Sequence, residues 1–307
     1  MESKPGMPRV AVIANPVSGS GRARAVAEDL VCRLQAGGHD VEHVPTELSD
    51  PAGWLDPVLV EATTALVVGG DGTVRLAAES LVRSGTPVWQ VPCGTENLLA
   101  RSLGMSGDYE SILAAIEHGE IRSLDVARVN GMICLLMASC GFDAAVVHDL
   151  SRRRGDSIRH WHYIPCIVRR LLKWKPTVMT LTLDDEIVRE HESGWCFVCN
   201  CREYGGGFNP APHAEMSDGL LDVVFLPTRS RIQVLSWMHR TRRGRHLEAP
   251  GVLHARARSI RVDISTDSFW QLDGDPPPHP LHGTASRLQI ECLPDAVNAL
   301  LPCSNGA

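Results

Sequence analysis

The rhythm of apolar and polar positions changes near Leu124. Before it, short apolar runs alternate with stretches of helical period. Arg9 to Ala14 is a β-rich apolar run, and Arg22 to Ala36 carries Ala25, Leu30, Val31 and Leu34 at helical spacing before Gly37-Gly38 ends it. Val41 to Pro45 and Ala65 to Val68 read as strands, Val74 to Arg83 as a helix, Pro87 to Val91 as a strand, and Glu96 to Leu103 and Ser111 to His118 as helices. Strand, loop and helix in this order predict an α/β domain with a parallel sheet covered by helices. After Leu124 strand-like runs dominate: Asp125 to Val129, Ile133 to Ser139, Thr177 to Leu183, Trp195 to Cys201, Leu221 to Leu226 and Ser259 to Ile264. They predict a mostly antiparallel β domain, interrupted by one helical insertion over Asp143 to Lys175. The expected domains are 8–124, 125–293 and a C-terminal tail over 294–307 that starts as a short helix.

Composition narrows the classes. The 307 residues are 44% hydrophobic and 21% charged, an ordinary globular profile with mass for two cores. A net charge of −6 gives no global field for nucleic acid. No run of about 18 apolar residues occurs, and Val10 to Ala14 is too short for a signal sequence, so the expected location is cytoplasmic. Ten cysteines are therefore read as free thiols. In the buried strand from Gly194, period 2 puts Cys196 and Cys199 on opposite faces, which speaks against a metal or redox pair. His160 and His162 are only a faint metal hint.

Three loops carry phosphate chemistry. Gly69-Gly70-Asp71-Gly72-Thr73 follows a buried strand and opens a helix at Val74 and Arg75. Glycines let backbone approach a polyphosphate, and a helix start offers free amides. A carboxylate such as Asp71 is repelled by phosphate unless a cation lies between them or it handles a proton. Asn15-Pro16-Val17-Ser18-Gly19 and Gly94-Thr95-Glu96-Asn97 occupy the same strand-to-helix position. Any one of these loops could be a plain turn, but three at one sheet edge form a site.

These motifs resemble the nucleotide-binding motifs of the diacylglycerol kinase catalytic-domain family, which includes bacterial lipid kinases, sphingosine kinases and ceramide kinases. Gly205 to Pro212, Ser217 to Asp222 and Gln271-Leu-Asp-Gly-Asp275 follow in the family's order, so the resemblance runs from about Val10 to Leu293. It implies an α/β nucleotide-binding domain of the NAD kinase and diacylglycerol kinase kind, plus a β-sandwich C-terminal domain. It implies ATP and Mg²⁺ as cofactors and γ-phosphate transfer to a lipid hydroxyl. By motif, Asn15 to Gly19, Thr46, Gly69 to Arg75, Gly94, Thr95 and Asn97 would contact ATP, with Asp71 in the magnesium-phosphate network. Asp273-Gly274-Asp275 resembles the family's Asp-Gly-Glu, which makes Asp275 the expected base, one methylene shorter. Glu215, Asp218 and Leu220 resemble a structural magnesium site in bacterial members. In one departure, Leu98 stands where bacterial members usually carry an acid of the magnesium-water network.

The lipid must be reached at a membrane surface. Residues 148–176 interleave Arg152, Arg153, Arg154, Arg159, Arg169, Arg170, Lys173 and Lys175 with Trp161, Tyr163, Ile164, Ile167, Val168, Leu171, Leu172 and Trp174, a pattern suited to peripheral contact with anionic lipid. A solvated basic helix is the plainer alternative, and His239 to His246 reads as basic surface. Two other functions fit: an NAD kinase, which shares the Gly-Gly-Asp-Gly loop, and a nucleotide or lipid sensor without turnover. A homodimer is compatible with the sequence.

Overall fold

The computed structural model describes residues 9–47, 49–152, 162–277 and 284–303. Lys4, Arg153, Arg154, Asp156, Arg159, His160 and Trp161 lie outside the described residues. The chain divides into two compact units, with the breaks after Leu124 and after Pro294.

In the first unit, β1 (Arg9–Ala14) is followed by α1 (Arg22–Ala36), β2 (Asp40–Pro45), α2 (Pro51–Trp54), α3 (Asp56–Glu61), β3 (Thr64–Gly69), α4 (Asp71–Ser84), β4 (Val88–Pro92), α5 (Leu98–Leu103) and α6 (Tyr109–His118). β1 pairs in parallel with β2 and β3, and β3 with β4. Val10 to Ile13 and Ala65 to Val68 are wholly buried, as strands covered on both faces must be. Helix α1 buries Ala23, Ala27, Leu30 and Leu34, so the apolar stripe runs through Ala23 and Ala27 rather than through Ala25 and Val31. Helices α2 and α3 have no counterpart in the sequence pattern. They are short and start on local devices: Asp50 accepts from the Ala52 amide at 3.1 Å, and proline stands in the first turn of each.

The expected C-terminal helix and tail is a strand instead. β13 (Thr284–Leu301) ends beside β4, with Ala299 opposite Val88 in parallel. Val297, Ala299 and Leu300 are buried, and Asn298 joins Ser123 Oγ at 3.0 Å and the Gly85 carbonyl at 2.8 Å. The alternation of Val297, Ala299 and Leu301 is a strand signal that Pro294 obscures.

The second unit holds β5 (Glu120–Val129) from Asp125 on, β6 (Met132–Cys134), β7 (Met137–Cys140), α7 (Phe142–Ser151), α8 (Tyr163–Leu172), β8 (Val178–Leu183), β9 (Glu186–Cys199), β10 (Leu221–Pro227), α9 (Arg231–Arg242), β11 (Leu253–Ala257), β12 (Ser259–Leu272) and the first part of β13. Their pairings in this unit are antiparallel. Two apolar cores result. Cys196, Val198, Leu221, Val223 and Phe225 point into one, together with Val262 and Leu288. Trp195, Phe197, Cys199, Val224 and Leu226 point into the other, where Phe142, Val146, Cys166, Val234 and Trp237 of the helices meet them. Cys196 and Cys199 thus face opposite ways, as the period of a strand demands.

Candidate functional site

Three loops of the first unit meet at the C-terminal edge of its strands. The loop after β1 is folded on itself: Asn15 Oδ1 accepts from the Val17 amide at 3.2 Å and its carbonyl from Ser18 at 3.0 Å. Pro16 and Val17 are exposed. Gly19 has φ +60°, and a Cβ there would sit 2.4 Å from the Cys93 carbonyl oxygen, so the first loop touches the third through glycine. Ser18 Oγ lies 3.4 Å from Thr73 Oγ1, which ties the first loop to the second. A Cβ on Gly94 would stand 2.6 Å from the Gly70 Cα, so the second and third loops pass backbone against backbone. Thr46 donates its amide to the Ala14 carbonyl at 2.9 Å and so adjoins the root of the first loop. Gly69 ends β3, Gly72 is exposed in the first turn of α4, Val74 is buried behind it and Arg75 is half-buried. Asn97 closes the third loop: its side chain accepts from the Gly94 amide at 2.8 Å and donates to the Gly94 carbonyl at 3.0 Å around Thr95.

Asp71 is turned toward this third loop. Its carboxylate accepts from the amides of Leu98 at 3.0 Å and Leu99 at 3.2 Å, and from Gln90 Nε2 at 3.4 Å. It thus serves as the anion at the N-terminus of α5. Leu98, standing where an acid was expected, buries its side chain and offers its backbone to Asp71. Glu96 pairs with Arg101 at 3.7 Å. Gln90 is a residue that sequence reasoning passed over. It is wholly buried, and its Oε1 accepts from the Ala100 amide at 2.8 Å. A lone glutamine inside the apolar run Val88 to Val91 was the available signal.

In the second unit, Leu272 to Asp275 form a two-residue hairpin turn. Leu272 and Asp275 exchange backbone bonds at 2.9 and 2.8 Å, with φ +48° at Asp273 and +81° at Gly274, the pattern Asp-Gly favours. The Asp273 carboxylate is bound from several sides. Asp273 Oδ1 accepts from the amides of Leu136 at 2.8 Å and Met137 at 3.1 Å and from Cys134 Sγ at 3.2 Å, and its Oδ2 accepts from Leu135 at 3.0 Å. This explains why the run Ile133 to Ser139 breaks into β6 and β7. The carboxylate of Asp273, expected among the catalytic residues, thus ties the turn to residues 134–137. Asp275, two residues on, is half-buried.

Behind the turn lies a chain of buried polar groups. Gly274 donates its amide to Gln271 Oε1 at 2.7 Å, and Gln271 Nε2 donates to Ser139 Oγ at 2.9 Å. Ser139 donates to Asp143, whose other oxygen accepts from Trp195 Nε1 at 2.6 Å. Burial pushes the Asp143 carboxyl up to about 6, against the pull of Ser139 and Trp195.

The residues expected to hold a structural metal, Glu215, Asp218 and Leu220, lie in the segment that precedes β10. Arg256 forms an ion pair with Asp218, whose other oxygen accepts from the Leu220 amide at 3.0 Å, and Glu215 is exposed. In this arrangement Arg256 supplies the positive charge beside the Asp218 carboxylate. Among the described residues no three His, Cys, Asp or Glu side chains gather as a metal cluster.

The basic helical segment divides into two faces. α8 turns Cys166 inward, with Tyr163, Ile167 and Leu171 against the second core. Outward it shows Ile164 at 61%, Val168 at 50% and Leu172 at 65% exposure, an apolar stripe at i, i+4 and i+8 beside exposed Arg169, Lys173 and Lys175. Arg170 is withdrawn to Asp149 at 2.6 Å. No described helix is long and apolar enough to cross a membrane. His246, expected on the surface, is wholly buried with Nε2 at 2.7 Å from the Pro210 carbonyl.

Comparison with known proteins follows the same two parts. The model of the diacylglycerol kinase catalytic domain matches residues 9–129, and that of the YegS C-terminal NAD kinase beta sandwich-like domain matches residues 137–301. A diacylglycerol kinase of Mycobacterium tuberculosis (strain ATCC 25618 / H37Rv) is 31% identical over 295 residues, 92% of this chain and 94% of that protein. The diacylglycerol kinase of Bacillus subtilis (strain 168) is 23% identical over 277 residues, 88% of this chain and 90% of that protein. A crystal structure of a diacylglycerol kinase from Bacillus anthracis str. Sterne superposes with a TM-score of 0.70 at 19% identity, covering 98% of this chain and 99% of that one. This last likeness is one of fold.

Proposed function

The chain belongs to the diacylglycerol kinase catalytic-domain family, and from that premise we propose that it is an ATP-dependent lipid kinase whose acceptor is the free hydroxyl of diacylglycerol. The observation that carries the reading is the three-loop cradle, where Gly19 and Gly94 leave no room for a Cβ and Gly70 leaves little. Glycine backbone at a strand end and the start of α4 suit a polyphosphate. In this reading Asn15 to Gly19, Thr46, Gly69 to Arg75, Gly94, Thr95 and Asn97 hold ATP. Bound magnesium would neutralise charge on the phosphates. Asp71 contributes by holding the α5 end in place, and it would act in the magnesium-phosphate network when the metal is bound. Asp275 takes the proton of the acceptor hydroxyl, and positioning supplies most of the rate.

The acceptor is a membrane lipid, so the enzyme works from the cytoplasmic side at a bilayer surface. The stripe of Ile164, Val168 and Leu172 with Arg169, Lys173 and Lys175 supports peripheral docking through α8. The test uses purified protein, labelled ATP and vesicles carrying diacylglycerol, ceramide or a sphingoid base. Labelled phosphatidic acid from diacylglycerol is expected, and Asp71→Ala abolishes it. Absence of lipid-dependent transfer to all three acceptors sinks the proposal.

A further inference from the structure

The buried polar chain behind the Asp273-Gly274 turn has a fixed direction. The Gly274 amide can only donate, so Gln271 must present its oxygen to it. The amide nitrogen of Gln271 then faces Ser139, and the Ser139 hydroxyl proton is left to point at Asp143. Asp143 must accept from both Ser139 and Trp195, which a carboxylate does with two oxygens. The register of the sheet supports the same path: Gln271 lies opposite Ser139 in the pairing of β12 with β7. Ser139, Gln271 and Asp143 are all buried, so water offers no replacement partner.

We propose that Asp143 is a positioning residue for phosphate transfer: through Ser139 and Gln271 it orients the Gly274 amide and with it the Asp275 carboxylate that follows in the turn. The proposal rests on the reading of Asp275 as the base, but the relay itself does not. Protonation of Asp143 turns one of its oxygens into a donor. Ser139, whose oxygen can accept from both sides, then loses the charged acceptor of its own proton, and the change in polarisation passes through Gln271 to the Gly274 amide. Among the described residues, Cys140, Cys199 and Tyr204 sense Asp143; the hydrogen bond with Cys196 and then burial push Cys140 up, and burial pushes Cys199 and Tyr204 up, so they stay neutral while Asp143 titrates. His148, on the same helix, faces the Trp270 carbonyl at 2.8 Å, and burial pulls it down; the charges it senses are Arg152, Arg170 and Asp149.

The experiment follows the Gly274 amide by NMR from pH 5 to 8 in the full chain, beside steady-state kinetics. In the wild type the Gly274 signal is expected to shift with a midpoint near 6. In Asp143→Asn that shift disappears, while in Asp275→Asn it persists. Asp143→Asn and Ser139→Ala, which breaks the relay without changing charge, are each expected to lower kcat about tenfold at unchanged KM for ATP. A Gly274 titration that survives in Asp143→Asn overturns the proposal, as does a wild-type kcat in both variants. Full turnover in Asp275→Asn defeats the assignment of the base instead and leaves the Gly274 result standing. If Asp143→Asn does not fold, Ser139→Ala alone decides between the outcomes.

Discussion

Asp273 and Asp275 stand two residues apart, yet their removal should harm the protein in opposite ways. Asp273→Ala orphans three backbone amides, those of Leu135, Leu136 and Met137, which now donate at 2.8 to 3.1 Å. A hydrogen bond to a charged group contributes about 1.5–3 kcal/mol, and neighbouring bonds are not additive. Asp273 is partly exposed, so the low end applies and the set is worth about 3 kcal/mol. Alanine at φ +48° adds about 1 kcal/mol of left-handed strain. The total, about 4 kcal/mol, corresponds to a fall of roughly 8–16 °C in unfolding midpoint for a unit of this size. Asp273→Asn tolerates the turn and keeps one acceptor, so it isolates the lost bonds at about half that cost. Thermal unfolding followed by the fluorescence of Trp195 and Trp270, both buried in this unit, reads the effect. Asp275→Ala is expected to leave the midpoint within about 2 °C and to abolish turnover. An Asp273→Ala protein that unfolds at the wild-type temperature but has lost turnover would refute the division of labour and make Asp273 a chemical residue.

Other consequences are equally direct. Gly94→Ala forces a Cβ to within 2.6 Å of the Gly70 Cα, so nucleotide affinity should fall about tenfold or more in a fluorescence titration; an unchanged affinity contradicts the cradle. Asp143 is raised from its ordinary 3.8 to about 6, so its contribution to stability is full below pH 4 and lost as pH rises through 6. Two units correspond to about 3 kcal/mol, so urea midpoints of the wild type should fall relative to Asp143→Asn between pH 4 and 7, and parallel pH profiles would contradict this. Replacing Ile164 and Val168 by glutamate removes two apolar side chains from the outer stripe of α8 and reverses local charge, so sedimentation with anionic vesicles should weaken at least about tenfold. Equal sedimentation would remove α8 from the membrane-facing surface.

What the sequence discloses and what it hides divide along the range of the interactions. The three phosphate loops are legible because each is a local event, glycine chemistry between an apolar run and a helical period. Their mutual contact is not, since nothing near Gly19 in the chain announces that its missing Cβ makes room for the carbonyl of Cys93. Helix α9 escapes a reading by pattern because only Val234, Trp237 and Thr241 of its twelve residues are buried, too few to mark a stripe. The acidic turn shows the limit most sharply. Asp273-Gly274-Asp275 is visible as a turn, and the family resemblance offers both acids for chemistry. Only the fold brings the amides of residues 135–137 to Asp273, across a separation of 136 to 138 residues. Those bonds engage the Asp273 carboxylate, and it is on this ground that Asp275 is proposed as the base. The chain through Gln271, Ser139 and Asp143 extends the same logic. Each member is an unremarkable polar residue in sequence, and together they form a directed path because β12 pairs with β7 in one register. A shift of that register by one residue would turn Gln271 to the opposite face and disconnect the turn from the carboxylate that orients it.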